Sequence, residues 1–298
     1  MEEKLSFNNL IGNDRVKEVL ENIVKKQNIL HSYMFVGKDG IGKMLFAKEF
    51  ANMIFDTNDI ENNPDLSTIE SEDGKSIKIE QIRNLQQRII EKPVKYVKKI
   101  YIINDSDLMT KEAQNCLLKT LEEPPEYVIL ILITTSEDKI LTTIKSRCVK
   151  INFEKIDDEE IRKYIEDKYD GCNLSANMIR LCDGSIGKAI SLLNQKELYE
   201  QIENIVNSIE NKDIIDVWNE ADVLYKSKDE IINLLDYMNI IIYNKICKEQ
   251  NTKYLNCVNI VEEAKTCLNA NANYDMTIDI FLLKMWEEIN EKHHRSKI

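Results

Sequence analysis

Proline and glycine run out along this chain. All four prolines lie before residue 126 and no glycine follows Gly187, so the last third lacks the residues that interrupt helices and build turns. A helical C-terminal region is expected. Its segments IINLLDYMNIIIYNKIC (231–247) and TIDIFLLKMWEEI (277–289) carry apolar residues at three- and four-residue spacing, as amphipathic helices do. Their wide apolar stripes suit a bundle or an oligomer contact.

Other absences narrow the function. The seven cysteines, at 116, 148, 172, 182, 247, 257 and 267, form no C-x-x-C pair, which argues against a zinc module and a redox motif and for reduced, packed thiols. No apolar run approaches the roughly 20 residues that a membrane span needs. The start, MEEKLSFNN, is acidic and polar, unlike a secretory or transit peptide, so the expected address is the cytoplasm. A basic excess is missing as well. Residues 1–150 hold 22 basic and 24 acidic side chains, the remainder 18 and 28, giving −2 and −10 of the total −12. A protein that grips DNA unaided shows a basic stripe; the acidic half points to protein contacts.

What is present is the composition of a soluble globular protein, 43% apolar and 31% charged, with 298 residues for two or three domains. In the first half, short apolar runs alternate with helical patterns. SYMFV (32–36), KIYIIN (99–104) and YVILILIT (127–134) are almost continuously apolar, as strands covered on both faces should be. Helices are expected at 43–55, 79–91 and 110–122, the last with Thr110 as N-cap and Pro124-Pro125 as its stop. This alternation predicts βαβ units and a parallel sheet, an α/β fold. A helical section of about 153–207 follows, opening on DDEE (157–160). The expected divisions are 1–152, 153–207 and 208–298.

Between the first strand and its helix lies GKDGIGKM, residues 37–44. Gly37, Gly40, Gly42 and Lys43 fit the phosphate-cradling pattern G-x-x-x-x-G-K-[ST], in which loop N–H groups face an anion and the lysine neutralises it. Met44 stands where a hydroxyl would hold Mg²⁺. A second departure ends the strand KIYIIN: Asn104 and Asp105 occupy the place of an acidic pair that would hold metal and polarise water. Asn104 brings no charge, and Asp105 is one methylene shorter than glutamate. Asp105-Ser106-Asp107 reads equally as a strand-end turn. Hydrolysis here is expected to be very slow or absent.

The stretches FNNLIGNDRVKEVL, ILHSYMFVGKDGIGK, NPDL (63–66), IKIEQIRNL (77–85), NCLLKTLEEPPE (115–126) and TIKSRC (143–148) resemble the clamp-loader branch of the AAA+ proteins, over about residues 5–190. Within it the resemblance is to the delta-prime type of subunit of bacterial DNA polymerase III. It implies an AAA+ α/β P-loop module, a small helical lid and an all-α collar that joins a hetero-pentamer with gamma/tau and delta subunits. Such a complex loads the sliding clamp onto primed DNA. The delta-prime type is implied to be a stator without ATPase activity; a gamma/tau-like ATPase is the alternative.

Carried onto this sequence, the resemblance makes Arg147 an arginine finger acting on a neighbour's nucleotide, framed by Ser146 and Cys148. It puts a phosphate-sensing residue at Thr134 or Thr135, and Lys188 where hydrolysing relatives carry a sensing arginine. Many relatives hold a four-cysteine zinc module between the phosphate-loop helix and NPDL; ANMIFDTNDIENNPDL has no cysteine, so no zinc and a shorter loop are expected. ATP held without hydrolysis and a loop closed on itself are both compatible with the sequence.

Overall fold

A computed structural model describes residues 7–57, 63–169, 171–248 and 250–290. The shorter loop expected after residue 55 lies partly outside the described residues, at 58–62. The chain divides into two compact units, Met1–Tyr164 with Gly184–Gly187, and Ile165–Asp183 with Lys188–Ile298.

The first unit is the expected α/β module. Its elements are α1 (Asp14–Lys25), β1 (Ser32–Val36), α2 (Lys43–Phe55), β2 (Leu66–Ile69), α3 (Ile79–Ile89), β3 (Lys99–Ile103), α4 (Lys111–Glu122), β4 (Val128–Thr134), α5 (Thr142–Lys145), β5 (Val149–Asn152) and the start of α6 (Asp158–Lys168). The five strands pair in parallel in the order β2-β3-β4-β1-β5. Alternate strand residues point to opposite faces. One face sends Tyr33, Phe35, Ile100, Ile102, Ile129, Ile131 and Ile133 against Leu20 of α1 and Phe46, Ala47 and Phe50 of α2. The other packs Met34, Tyr101, Ile103, Leu130 and Leu132 against Ile82 and Leu85 of α3 and Ala113, Leu117 and Leu121 of α4. Burial on both faces explains why the central strands are continuous apolar runs.

Thr110 caps α4 as expected, its side chain accepting from Ala113 N. The strand expected at 99–104 ends at Ile103: Asn104 still donates its N–H to Ile69 O of β2 (2.9 Å), and the chain then turns at Asp105, which takes φ 46. The helix expected at 79–91 ends at Ile89. Strands β2 and β5 were not foreseen: both are four-residue edge strands that bury few side chains.

Asp65 of NPDL explains how the α3–β3 connection is held. The residue is buried, and its Oδ1 accepts from Val94 N (2.7 Å) while Oδ2 accepts from Lys95 N (2.7 Å) and Tyr96 N (2.8 Å). Burial alone would push this carboxyl up; the three N–H groups and the Lys99 ammonium outweigh it and hold the pKa below the ordinary 3.8.

The second unit is helical, and beyond Gly187 this is what the missing glycine and proline predict. It contains the rest of α6, then α7 (Ala176–Cys182), α8 (Ile186–Asn194) from Lys188 onward, α9 (Lys196–Ser208), α10 (Ile214–Glu220), α11 (Asp222–Lys226), α12 (Ile231–Cys247), α13 (Cys257–Asn269) and α14 (Tyr274–Asn290). Tyr199 and Tyr237 pack edge to face in its core, 5.2 Å between centroids. Among the described residues no helix is long and apolar enough to cross a membrane.

Candidate functional site

In a parallel sheet the loops leaving the C-terminal strand ends converge, and ligands bind there. Here those loops bring together most of the expected phosphate-site residues. Gly37 follows β1 and donates its N–H to Thr134 O at the end of β4 (3.2 Å). Gly40 and Gly42 take φ +70 and +95, left-handed conformations that favour glycine, and the turn delivers Lys43 to the first position of α2.

The lysine is buried and already bonded: its Nζ donates to Gly37 O (2.7 Å) and Lys38 O (2.5 Å). Burial lowers its pKa, against the pull of Asp39, Asp105 and Asp107. Asp39 is a loop feature that the sequence reading passed over. Its Oδ1 accepts from Gly40 N at 2.8 Å, so a carboxylate of the chain takes an N–H of the type that cradles phosphate in such loops. Met44 is half-buried and packs on the apolar cluster around Phe46 and Phe50.

The acidic-pair position is equally altered. Asn104 Nδ2 lies 3.2 Å from Asp105 Oδ2 and 3.5 Å from Glu70 Oε1. Burial pushes the Asp105 carboxyl up, reinforced by Asp107 and Asp39 and opposed by Lys43. Lys139 Nζ also lies 3.7 Å from Asp107 Oδ2, so the carboxylates of Asp39, Asp105 and Asp107 face two ammonium groups, those of Lys43 and Lys139, and this excess of negative charge disfavours a polyanion unless a cation accompanies it. Asp107 joins the strand ends: it accepts from Thr134 Oγ1 (2.9 Å) and Thr135 N (3.2 Å), while Ser106 Oγ donates to Ile133 O (2.8 Å). The Asp-Ser-Asp sequence is therefore a built junction between β3 and β4.

The start of α8 and Ser185 just before it also meet the loop. Gly187 N donates to Gly40 O at 2.9 Å, and a Cβ on Gly40 would stand 2.1 Å from Ser185 Oγ. Lys188 belongs to the second unit, in the first turn of α8.

Ser146, Arg147 and Cys148 lie elsewhere, in the turn from α5 to β5. Ser32, the first residue of β1, donates its hydroxyl to Arg147 O (2.5 Å). The phosphate loop leaves the other end of that strand, about 13 Å away at the ~3.3 Å rise of a parallel strand. Arg147 Nη2 pairs with Glu122 Oε1 at the end of α4 (2.8 Å), and Nη1 donates to Thr143 O (2.9 Å) and approaches Ser146 Oγ (3.5 Å). Burial pushes the Cys148 thiol up to about 11, with a bond to Ser32 pulling the other way. Sequence reasoning missed Glu122, although it stands in the quoted LEEPP motif; only the fold shows what its carboxylate meets.

Residues 12–157 match the protein family described as "DNA polymerase III, delta subunit". DNA polymerase III subunit delta' of Bacillus subtilis is 33% identical over 214 residues, 66% of this chain and 64% of that protein. DNA polymerase III subunit gamma/tau of Mycoplasma pneumoniae is 29% identical over 218 residues, 67% of this chain but 32% of that protein. The chain thus spans about a third of that gamma/tau relative's length and under two thirds of the delta' relative's. A gamma subunit-related protein from Thermotoga maritima shares the fold at a TM-score of 0.56 and 20% identity, over 91% of this chain and 99% of that one. The Holliday junction branch migration motor RuvB from Thermotoga maritima also shares it, at 0.50 and 14%, over 95% and 89%. The parallel sheet, the phosphate-loop turn and these relatives agree: the chain is similar to the delta, delta' and gamma/tau subunits of DNA polymerase III.

Proposed function

We propose that this chain is a clamp-loader subunit of the delta-prime type, which hydrolyses no ATP itself and presents Arg147 to the nucleotide of a neighbouring subunit. The observation that carries the reading is the distance between the two sites. Ser32 fixes the Arg147 backbone at the N-terminal edge of the sheet, and the phosphate loop opens at the C-terminal edge. A side chain tied there to Glu122 faces away from its own loop, so its guanidinium serves a phosphate supplied by another chain. A guanidinium given in trans is worth ~10³–10⁵ in phosphoryl-transfer rate in enzymes that depend on one.

The local chemistry supports the same reading. Met44 packs half-buried against the apolar cluster and has no hydroxyl, Asn104 brings no charge, Lys43 is bonded to loop carbonyls, and Asp39 supplies an internal anion. Neither ATP nor zinc is required by this function; the interval between residues 55 and 64 has no cysteine. The partners are gamma/tau and delta subunits, with the sliding clamp and primed DNA engaged through the complex. The protein works in the cytoplasm. Residues 153–207 and 208–298 serve as lid and collar.

Two measurements test this. The purified chain should show no ATP turnover above background; turnover near ~1 s⁻¹, the range of ordinary enzymes, would establish the gamma/tau-like alternative instead. With gamma, delta, clamp and primed DNA added, Arg147→Ala should lower stimulated ATP turnover while the complex still assembles. Unchanged turnover would reject the finger.

A further inference from the structure

We infer that Glu122 is the positioning residue of Arg147: the carboxylate at the end of α4 sets the direction in which the guanidinium is offered to a neighbour. The inference rests on the proposed finger role and adds a named second residue to it. Arginine carries five N–H donors in a rigid plane. Three bonds are made here, to Glu122 Oε1, Thr143 O and Ser146 Oγ. Two of those acceptors belong to α5 and its end, and they fix only how the side chain leaves its own turn. Glu122 comes from another helix and contributes the one ionic contact, so it selects the rotamer. The remaining two N–H donors meet no acceptor among the described residues and are left for an outside one.

The placement has a physical basis in the fold. The α4 helix ends at Glu122, and its last carbonyls carry the negative end of the helix dipole, which favours a cation there. Glu122 is followed by Glu123, Pro124 and Pro125, which end the helix and give this carboxylate a short, defined backbone. The pair is not buried: side-chain exposure is 35% for Arg147 and 50% for Glu122. An exposed pair is worth at most ~1 kcal/mol, so it biases the guanidinium's direction without trapping it. A phosphoryl group, which arginine bonds in the same charge-assisted, bidentate way as a carboxylate, can compete for the same side chain and draw it forward.

The test uses the full chain in the reconstituted loader with clamp and primed DNA. Glu122→Ala should lower stimulated kcat about two- to fivefold, the factor that ~1 kcal/mol or less of orientation allows, with KM for ATP and assembly unchanged. Glu122→Gln keeps an acceptor oxygen at the same reach and should retain more turnover than the alanine variant. Glu122→Ala placed in Arg147→Ala should add nothing, because the carboxylate acts only through the guanidinium. A further loss in that double variant, or full activity of Glu122→Ala beside an impaired Arg147→Ala, would overturn the positioning role while leaving the finger intact. Full activity of Arg147→Ala would remove the finger, and Glu122 with it. Should Glu122→Ala fail to assemble, the Gln variant in both backgrounds decides the question.

Discussion

Asp65→Asn is the substitution whose cost can be worked from the structure in most detail. The carboxylate bonds three consecutive backbone N–H groups at 2.7–2.8 Å in a buried site. An amide is nearly the same shape but offers one oxygen and one NH₂. In one orientation its nitrogen faces the N–H groups of Lys95 and Tyr96; flipped, it faces that of Val94. At least one donor is then stranded, at ~1–3 kcal/mol for an unmet buried group, and the remaining bonds lose their charge assistance. The total is about 2–4 kcal/mol. At ~2–4 °C per kcal/mol for a unit of this size, the first unit should melt about 4–16 °C lower.

The assay must read the first unit. Both tryptophans, Trp218 and Trp286, lie in the second, so far-ultraviolet circular dichroism or amide exchange at residues 94–96 is the measurement. The pH dependence supplies a sign. A carboxyl held below 3.8 stabilises at every pH above 3.8 and loses that contribution as pH falls through its folded-state value. The gap between the native chain and Asp65→Asn should therefore be constant from pH 7 to pH 5 and close only below 3.8. A loss under ~0.5 kcal/mol, the scatter of ordinary surface substitutions, would refute the reasoning, as would a gap that narrows above pH 5.

Three further outcomes are expected. Asp39→Gly removes the internal anion from Gly40 N, so equilibrium titration should show ATP retained more tightly than by the native chain; equal or weaker retention would show that Asp39 does not guard the loop. Gly40→Ala meets Ser185 Oγ at 2.1 Å and starts from φ +70, so it should cost about 1–3 kcal/mol in denaturant unfolding, as strained backbone does. Cys148, with its thiol near 11, is protonated at pH 8; iodoacetamide, followed by mass spectrometry, should label the exposed Cys172, Cys247 and Cys267 well before it.

The sheet centre and the helical second half were legible because burial on both faces writes uninterrupted apolar runs, and because helices without glycine or proline have little else to become. The edge strands LSTI and VKIN escaped notice since neither buries enough to leave a pattern. The phosphate turn could be found from three glycines and a lysine whose backbone requirements are local. What the side chains there do was not: that Met44 packs against the apolar cluster and that Asp107 joins two strand ends depend on neighbours far away in sequence, and that Asp39 bonds Gly40 N depends on the path of the loop. Glu122 and Arg147 show the same limit. Both stood in recognisable motifs, yet 25 residues and a strand separate them, and only the fold brings carboxylate to guanidinium.

If Arg147 acts as proposed, the placement of Ser32 at the start of β1 and of Gly37 just past its end also fixes a symmetry. A subunit that offers a guanidinium from one edge of its sheet and carries a phosphate loop on the other has a giving side and a receiving side. Two such chains cannot satisfy each other about a twofold axis; they must join head to tail, which leads to rings or open arcs. In an arc, a member whose receiving side does no chemistry can give without needing a partner behind it, and that defines an end.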